Sequence, residues 1–182
     1  MIICVAGYTA SGKDTISDLL AKRLHLPRVR YTFKDLAREY GMDLLTFQRM
    51  ASEDGGKIDR EFDRRVIEEV HRLNEEHGGC IVSTWIAAWL IEDADYRVFL
   101  RASVETRARR VMKREGLDYE SALRYITEKD NNNRERYLRY YNIDIHDLSI
   151  FDLIIDTDTR SPEEIVSIIL KDLTEKLGPD IG

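Results

Sequence analysis

The sequence predicts an α/β fold, in which a parallel sheet is covered by helices on both faces. Short apolar runs, typical of strands buried on both faces, alternate with longer segments whose apolar residues recur every three or four positions. A glycine-rich loop joins the first apolar run to the first helical segment. Ligands of such sheets bind at the carboxyl ends of the strands, which is where this loop lies.

The strands are expected at unbroken apolar runs, and glycine or proline marks where the preceding helices stop. Pro27 breaks the first helix, Gly41 ends the second, and Gly78 closes the long fourth helix. Five strands are predicted, at 2–6, 29–33, 80–83, 96–100 and 153–155.

Helix starts are marked by side chains that can cap a first turn. Asp43, Ser103 and Asp118 are such caps, and Ser161 is followed by proline and two glutamates. Helices are predicted at about 13–24, 34–40, 43–50, 58–76, 85–91, 103–116, 118–141 and 161–177.

The loop after the first strand fits a phosphate-binding pattern. Gly7, Gly12 and Lys13 match G-x-x-x-x-G-K between a buried strand and a helix. Backbone N–H groups of such a loop point at an anion, the helix N-terminus adds positive potential, and the lysine reaches the β- and γ-phosphates. An ordinary glycine turn is the alternative, which this context disfavours. The expected ATP contacts are Gly7, Tyr8, Thr9, Ala10, Ser11, Gly12, Lys13, Asp14 and Thr15.

The motif refines the fold class to a P-loop NTPase, three-layer α/β/α with a five-stranded parallel sheet. One position departs from the pattern, because the residue after Lys13 is normally a Ser or Thr that ligates magnesium and here is Asp14. Thr15 follows. We expect Asp14 and Thr15 to act on Mg²⁺ through water.

Composition narrows the class of partner. The 182 residues suffice for one domain, 1–182, and a net charge of −6 argues against a nucleic-acid scaffold. Ten of the twenty arginines fall within 97–139, which favours a local anion site. No apolar run approaches a membrane span, and Cys4 and Cys80 lie in strand-like runs as expected for reduced, buried thiols. We therefore expect a cytoplasmic monomer that binds small nucleotides, with neither nucleic acid nor membrane as a partner.

Four further segments of the chain indicate a particular protein family. They are 41–44 (GMDL), 58–65 (IDREFDRR), 113–116 (KREG) and 143–153 (IDIHDLSIFDL). Together with the loop and its G-K-x-T ending, their order and spacing resemble archaeal-type cytidylate kinases over nearly the whole chain. The resemblance implies transfer of the γ-phosphoryl group of ATP to CMP or dCMP with Mg²⁺. It also implies a monophosphate-binding insert at about 33–77 and an arginine-bearing lid at about 117–142.

We expect catalysis to depend on arginines, some of them in the lid. The polar run 128–136 resembles the family lid, and a mobile lid is expected to be weakly packed. Arg110 and Arg114 are four apart and could flank the same phosphates. The alternative is a solvated helix face paired with glutamates, which we prefer for Arg107 and Arg109. The expected catalytic residues are Lys13, Arg114, Arg134 and Arg136.

The acceptor site departs from the family pattern. Lys34 stands in place of an arginine, and 83–85 reads Ser-Thr-Trp where the family has an acid followed by Gly-Arg. Trp85 could stack on a base or fill a disused site. Two alternatives therefore stay open: a kinase of the same fold with another small acceptor, and a non-catalytic nucleotide-binding protein. The expected acceptor contacts are Lys34, Arg38, Arg60 and Trp85.

Overall fold

The computed structural model describes residues 1–179, and the last three residues of the expected domain 1–182 lie outside this range. Its centre is a parallel sheet of four strands: β1 (Ile2–Gly7), β2 (Cys80–Val82), β3 (Tyr96–Arg101) and β4 (Leu153–Asp156). The strand order is β2-β1-β3-β4, and Cys4 lies opposite both Val82 and Arg97. β1 thus lies between two strands, and at its carboxyl end the pairing with β3 extends to Gly7.

The prediction of a fifth strand at 29–33 is wrong for the described chain. Only a single bridge forms, between Arg28 and Ile81, with the Val29 N–H donating to the Ile81 carbonyl at 2.9 Å. The chain then leaves the sheet, because the Thr32 side chain accepts from the Asp35 N–H and caps the next helix. The capping hydrogen bonds of Thr32 therefore start a helix here, although the apolar run favours a strand.

Helices fill the remaining layers, and every predicted cap is confirmed. Asp43, Ser103, Asp118 and Ser161 each accept from the backbone N–H three residues on. The helices are α1 (Lys13–Leu24), α2 (Phe33–Glu39), α3 (Leu44–Glu53), α4 (Lys57–His77), α5 (Ala87–Leu90), α6 (Val104–Glu115), α7 (Tyr119–Tyr141) and α8 (Pro162–Leu177).

The sheet separates two apolar cores, which confirms the α/β/α layers. Alternate residues of β1 point to opposite faces: Ile3 and Val5 pack with α1 and α8, whereas Ile2 and Cys4 pack with α4 and α5. A third, smaller core joins α2, α3 and the start of α4 around Phe47. The segment expected as an insert thus has a core of its own beside the main sheet.

Helix α7 covers most of the segment expected to be a lid. It is one continuous helix, and its Asn133 and Tyr137 side chains are buried. The expectation of weak packing is therefore wrong at these positions, while the assignment of 117–142 as a lid stays a prediction.

No helix within residues 1–179 is long and apolar enough to cross a membrane.

Candidate active site

The phosphate-binding loop has the backbone geometry that its glycines require. A Cβ atom on Gly7 would lie 2.3 Å from the Ser11 Oγ atom and 2.8 Å from the Leu100 carbonyl oxygen. Gly12 precedes the first turn of α1 with φ = 96°, a conformation that favours glycine. The loop can therefore curl tightly at the carboxyl end of β1, where sequence analysis placed it.

Several hydrogen-bond donors of this loop have no partner and are available to bind an anion. The Thr9 and Ser11 hydroxyls are buried, and within residues 1–179 their oxygens have no hydrogen-bond partner. No described side chain caps the N-terminus of α1, so first-turn N–H groups are free to bind an anion. The loop borders a cavity of about 420 Å³, the loop cavity, which Thr9 lines and Ser11 does not. Its lining includes Thr9, Ala10, Gly12, Lys13, Asp14, Thr15, Trp85, Arg110, Arg114 and Lys129.

Lys13 lies under an aromatic ring in the loop cavity. Its Nζ atom is 5.4 Å from the centroid of the Trp85 indole, within range of a cation–π contact. Burial lowers the pKa of Lys13, and neighbouring Asp14 acts in the opposite direction. The ammonium is therefore poorly solvated and would gain from a phosphate partner.

Two arginines of α6 hold the loop from behind. Arg110 donates to the Ala10 and Ser11 carbonyls at 3.1 and 3.0 Å and also to the Thr157 carbonyl. Arg107 is 6% exposed, so the preferred reading of this residue as part of a solvated face is wrong. Its guanidinium pairs with Asp130 at 2.5 Å, a partner that lies 23 residues along the chain.

Asp130 in turn fixes α7 to the loop. Its second carboxylate oxygen accepts from the Thr9 N–H at 3.1 Å, and Arg107 donates to the Thr9 carbonyl at 3.2 Å. A buried ion pair thus joins α6, α7 and the phosphate-binding loop. Arg114, at the end of α6, lines the loop cavity and pairs with Glu115 at 2.6 Å.

Asp14 belongs to a polar network at the edge of the loop cavity. Arg28 pairs with its carboxylate and donates to the Ser83 Oγ atom at 2.8 Å. The Ser83 hydroxyl is 3.4 Å from an Asp14 oxygen. Asp14 therefore places a carboxylate beside position 83, where the family pattern has an acid and this chain does not.

A second, larger cavity adjoins the first. It measures about 660 Å³ and lies between α3, α4 and α7, and we call it the helix cavity. Trp85 and Lys129 line both cavities, so the two share a wall. The lining comprises Phe33, Gln48, Ala51, Ser52, Asp59, Phe62, Asp63, Thr84, Trp85, Lys129, Asn133, Arg136, Tyr137 and Tyr140.

The charged groups of the helix cavity are two carboxylates, one guanidinium and the Lys129 ammonium. Arg136 Nη1 lies 3.2 Å from Asp59 Oδ1. Asp63 accepts from the Tyr141 hydroxyl at 2.6 Å. Burial raises the pKa of Asp59 and raises that of Asp63 to about 6. Both carboxylates are therefore desolvated groups that favour hydrogen-bond donors.

The remaining expected residues fall outside these cavities. Lys34 and Arg38 are exposed on α2, and Arg60 lies over the Tyr140 ring at 5.5 Å. None of the three lines either cavity, so their acceptor role stays a prediction. Arg134 forms a two-pronged pair with Asp144 at 2.9 and 2.8 Å and holds the pKa of that carboxyl well below its usual range.

Sequence analysis missed Asp59 and Asp63 as site residues. Both lie in the segment 58–65 that carried the family resemblance, four residues apart and hence on one face of α4. Asp63 also interrupts the apolar stripe that contains Ile58, Val66 and Val70. A carboxylate inside a buried stripe was the available signal.

The parallel sheet and the glycine-rich loop at its carboxyl edge together define a P-loop α/β fold. A shikimate kinase from Bacteroides thetaiotaomicron superposes with a TM-score of 0.61 over 96% of this chain and 98% of its own, at 17% identity. That likeness is one of fold alone.

Sequence comparison identifies the family. The profile of the cytidylate kinase-like family matches residues 2–159. A cytidylate kinase from Sulfurisphaera tokodaii is 38% identical over 172 residues, which cover 93% of each chain. A second, from Pyrococcus horikoshii, is 41% identical over 171 residues, covering 93% of this chain and 86% of the relative. The chain belongs to the cytidylate kinase-like family.

Proposed function

We propose that the protein transfers the γ-phosphoryl group of ATP to CMP or dCMP. The observation that carries this proposal is the pair of adjoining cavities, one built by the phosphate-binding loop and the other large enough for a small second substrate. Their shared wall brings donor and acceptor phosphates together, and transfer between two bound nucleotides requires that arrangement. The named relatives support CMP as the acceptor.

In this proposal the loop binds the phosphates of ATP. The unpartnered Thr9 hydroxyl, the free first-turn N–H groups and Lys13 supply donors and positive charge. Asp14 and Thr15 offer the hard oxygen ligands that Mg²⁺ accepts, directly or through water. The metal would neutralise the developing phosphate charge.

Arginines supply the remaining positive charge. Arg114 lines the loop cavity, and its pair with Glu115 is exposed, so its guanidinium can turn toward phosphate at little cost. Arg136 lines the helix cavity and places its positive charge there. Arg134 would have to leave Asp144 to reach a phosphate, as closure of a lid over 117–142 would require.

One observation favours another small acceptor on the same scaffold. Trp85 stands between the cavities where the family has an arginine, and the expected acceptor cations Lys34, Arg38 and Arg60 lie outside the cavity lining. A non-catalytic nucleotide-binding protein would likewise keep the loop without these contacts.

The two buried free thiols are compatible with the cytoplasmic location expected above.

A phosphoryl-transfer screen tests the proposal. Purified protein is incubated with ATP and Mg²⁺ against CMP, dCMP, UMP, AMP, GMP and non-nucleotide acceptors such as shikimate, with ADP release as the readout. CMP or dCMP should give the highest kcat/KM, and Lys13→Ala should abolish most turnover while Lys22→Ala, exposed on the same helix, retains it. Turnover confined to a non-nucleotide acceptor would contradict the proposal, as would ATP binding without transfer to any acceptor.

A further inference from the structure

Two residues beside the loop cavity have exchanged the side chains that a P-loop protein normally places there. In that class a Ser or Thr hydroxyl after the loop lysine and a carboxylate at the end of a neighbouring strand hold Mg²⁺ with the nucleotide. Here the carboxylate follows the lysine, as Asp14, and the hydroxyl follows β2, as Ser83. The same two kinds of oxygen ligand are therefore present, each on the other element.

The two side chains contact each other although they lie 69 positions apart in the chain. The Ser83 hydroxyl is 3.4 Å from an Asp14 carboxylate oxygen. Parallel pairing of β2 with β1 brings the end of β2 toward the loop and the start of α1. Asp14 lines the loop cavity, and its side chain is 71% exposed, so its carboxylate can face a bound nucleotide.

Arg28 contacts both positions and restricts their geometry. Its side chain is 11% exposed, and its guanidinium pairs with the Asp14 carboxylate while Nη2 donates to the Ser83 Oγ atom at 2.8 Å. Nη1 of the same group donates to Asp18 Oδ1 at 2.8 Å, one turn further along α1. A carboxylate at position 14 or at position 83 would therefore have the same counter-charge.

The chemistry of this donor set fits Mg²⁺. Magnesium prefers hard oxygen ligands and is usually held by one or two carboxylates together with substrate phosphates and water. Asp14 and Ser83 supply a carboxylate and a hydroxyl at the edge of the loop cavity. One carboxylate in this place is sufficient, whichever of the two residues carries it.

We propose that Asp14 and Ser83 are an exchanged pair, in which Asp14 takes the role of the acid absent from position 83 and Arg28 positions its carboxylate. This inference rests on the ATP binding in the proposed function. It adds that the metal dependence of ATP binding belongs to positions 14 and 83 jointly. Arg28 acts through these two side chains and is a positioning residue.

The test measures how strongly Mg²⁺ tightens binding of the non-hydrolysable analogue AMP-PNP, as the ratio of Kd in EDTA to Kd in Mg²⁺ from calorimetry. Asp14→Ser should lower this ratio by about tenfold or more, because a charged contact is lost. The double variant Asp14→Ser, Ser83→Asp restores the usual arrangement and should return the ratio to within a few-fold of the parent. Ser83→Asp in the parent should have a much smaller effect, because the site already holds a carboxylate.

Asp18→Ser is the matched control for charge. It removes the same charge from the same helix and also a partner of Arg28, but Asp18 does not line the loop cavity. Its ratio should stay within a few-fold of the parent.

Arg28→Lys tests the positioning role. Lysine keeps the charge but lacks the planar fork that spans Asp14 and Ser83, so the ratio should fall by a few-fold. A merely structural role would change both Kd values together and leave the ratio unchanged, and that result would remove Arg28 from the proposal.

The outcomes separate this inference from the proposed function. An unchanged ratio in Asp14→Ser, or a double variant no better than Asp14→Ser, overturns the exchange and leaves transfer to CMP to the acceptor screen. Recovery in the double variant of a protein that phosphorylates no acceptor supports the exchange and contradicts the proposed function. Circular dichroism checks folding. If the double variant fails to fold, Asp14→Asn with Ser83→Asp replaces it, since the amide oxygen can still accept from Arg28, and lack of recovery there also overturns the exchange.

Discussion

Asp63 is a carboxyl group that the fold pushes toward its neutral form. It is 7% exposed, with Asp59 nearby on α4, and burial raises its pKa to about 6 from an ordinary value of 3.8. Arg136 and the hydrogen bond from Tyr141 act in the opposite direction and do not fully compensate. The folded state therefore binds a proton at Asp63 more tightly than the unfolded chain does.

This shift predicts a pH-dependent effect of Asp63→Asn on stability. A raised folded pKa means that the contribution of Asp63 is fully present below about pH 4 and is lost as pH rises through about 6. Asparagine stays neutral and can still accept from Tyr141. The free energy of unfolding of Asp63→Asn minus that of the parent should therefore rise between pH 4 and 7, by at most about 3 kcal/mol. Urea unfolding across this range measures it.

Glu61→Gln provides the contrast for that measurement. The hydrogen bond from Arg64 lowers the pKa of Glu61, so its contribution is present above the unfolded pKa and is lost as pH falls. The corresponding difference for Glu61→Gln should therefore change in the opposite direction and by much less, because this pair is exposed. Parallel curves for the two variants would contradict the burial argument for Asp63.

Single residues also show why sequence reasoning located the loop but not the rest of the site. The loop is local, since Gly7, Gly12 and Lys13 lie within seven positions of one another and their spacing carries the chemistry. The pairs Arg107–Asp130 and Asp59–Arg136 join residues far apart in the chain. No periodicity or capping rule links such residues, so their partners depend on how whole helices pack.

At the level of elements, the buried pair Arg107–Asp130 connects α6 and α7 to the loop. Asp130→Ala should lower the free energy of unfolding by about 3–5 kcal/mol, because it leaves the Arg107 charge buried and unpaired. The double variant Arg107→Leu, Asp130→Ala should recover part of that loss, since no uncompensated charge remains. Urea unfolding of the parent, both single variants and the double variant completes the cycle.

A double variant that loses as much as the sum of the two single variants would contradict this account. The same variants also test ATP binding, because Asp130 accepts a hydrogen bond from the Thr9 N–H of the phosphate-binding loop. ATP affinity should fall in Asp130→Ala even where the protein remains folded. Arg109→Ala is a suitable control, as Arg109 is exposed on the same helix as Arg107.

Element boundaries were predicted well where a cap or glycine marks them, and poorly where packing decides. The confirmed caps at Asp43 and Ser103 are local hydrogen bonds. The missing strand at 29–33 and the buried face of α7 depend on neighbours distant in sequence. Gly116, which ends α6 just before α7, and Asn142, which ends α7, both have positive φ. A lid movement that preserved this helix would therefore have to turn at its ends.

On the scale of the whole molecule, the fold brings two cavities to the carboxyl edge of one sheet. Trp85 follows β2 and lines both, with Lys13 against its ring. The family resemblance predicted the two sites, whereas their shared wall depends on the replacement at Trp85, which the family pattern does not contain. A single side chain thus contacts the space of both proposed substrates.

Trp85 should therefore report the binding of either nucleotide. The chain has two tryptophans, and Trp89 packs against Phe151 with ring centroids 5.1 Å apart, outside both cavity linings. In Trp89→Phe, ATP–Mg²⁺ and CMP should each change the emission of Trp85. ATP should act by drawing Lys13 from the ring toward phosphate, and CMP by occupying the helix cavity.

Lys13→Ala in the Trp89→Phe background separates the two responses. The lost charged contact is worth about 1.5–3 kcal/mol, so the ATP response should shift to concentrations at least tenfold higher. The CMP response should keep its midpoint, because Lys13 does not line the helix cavity. In Trp85→Phe, where Trp89 is the sole tryptophan, both responses should disappear. A CMP response that depends on Lys13, or one that persists in Trp85→Phe, would show that the two nucleotides do not meet at Trp85.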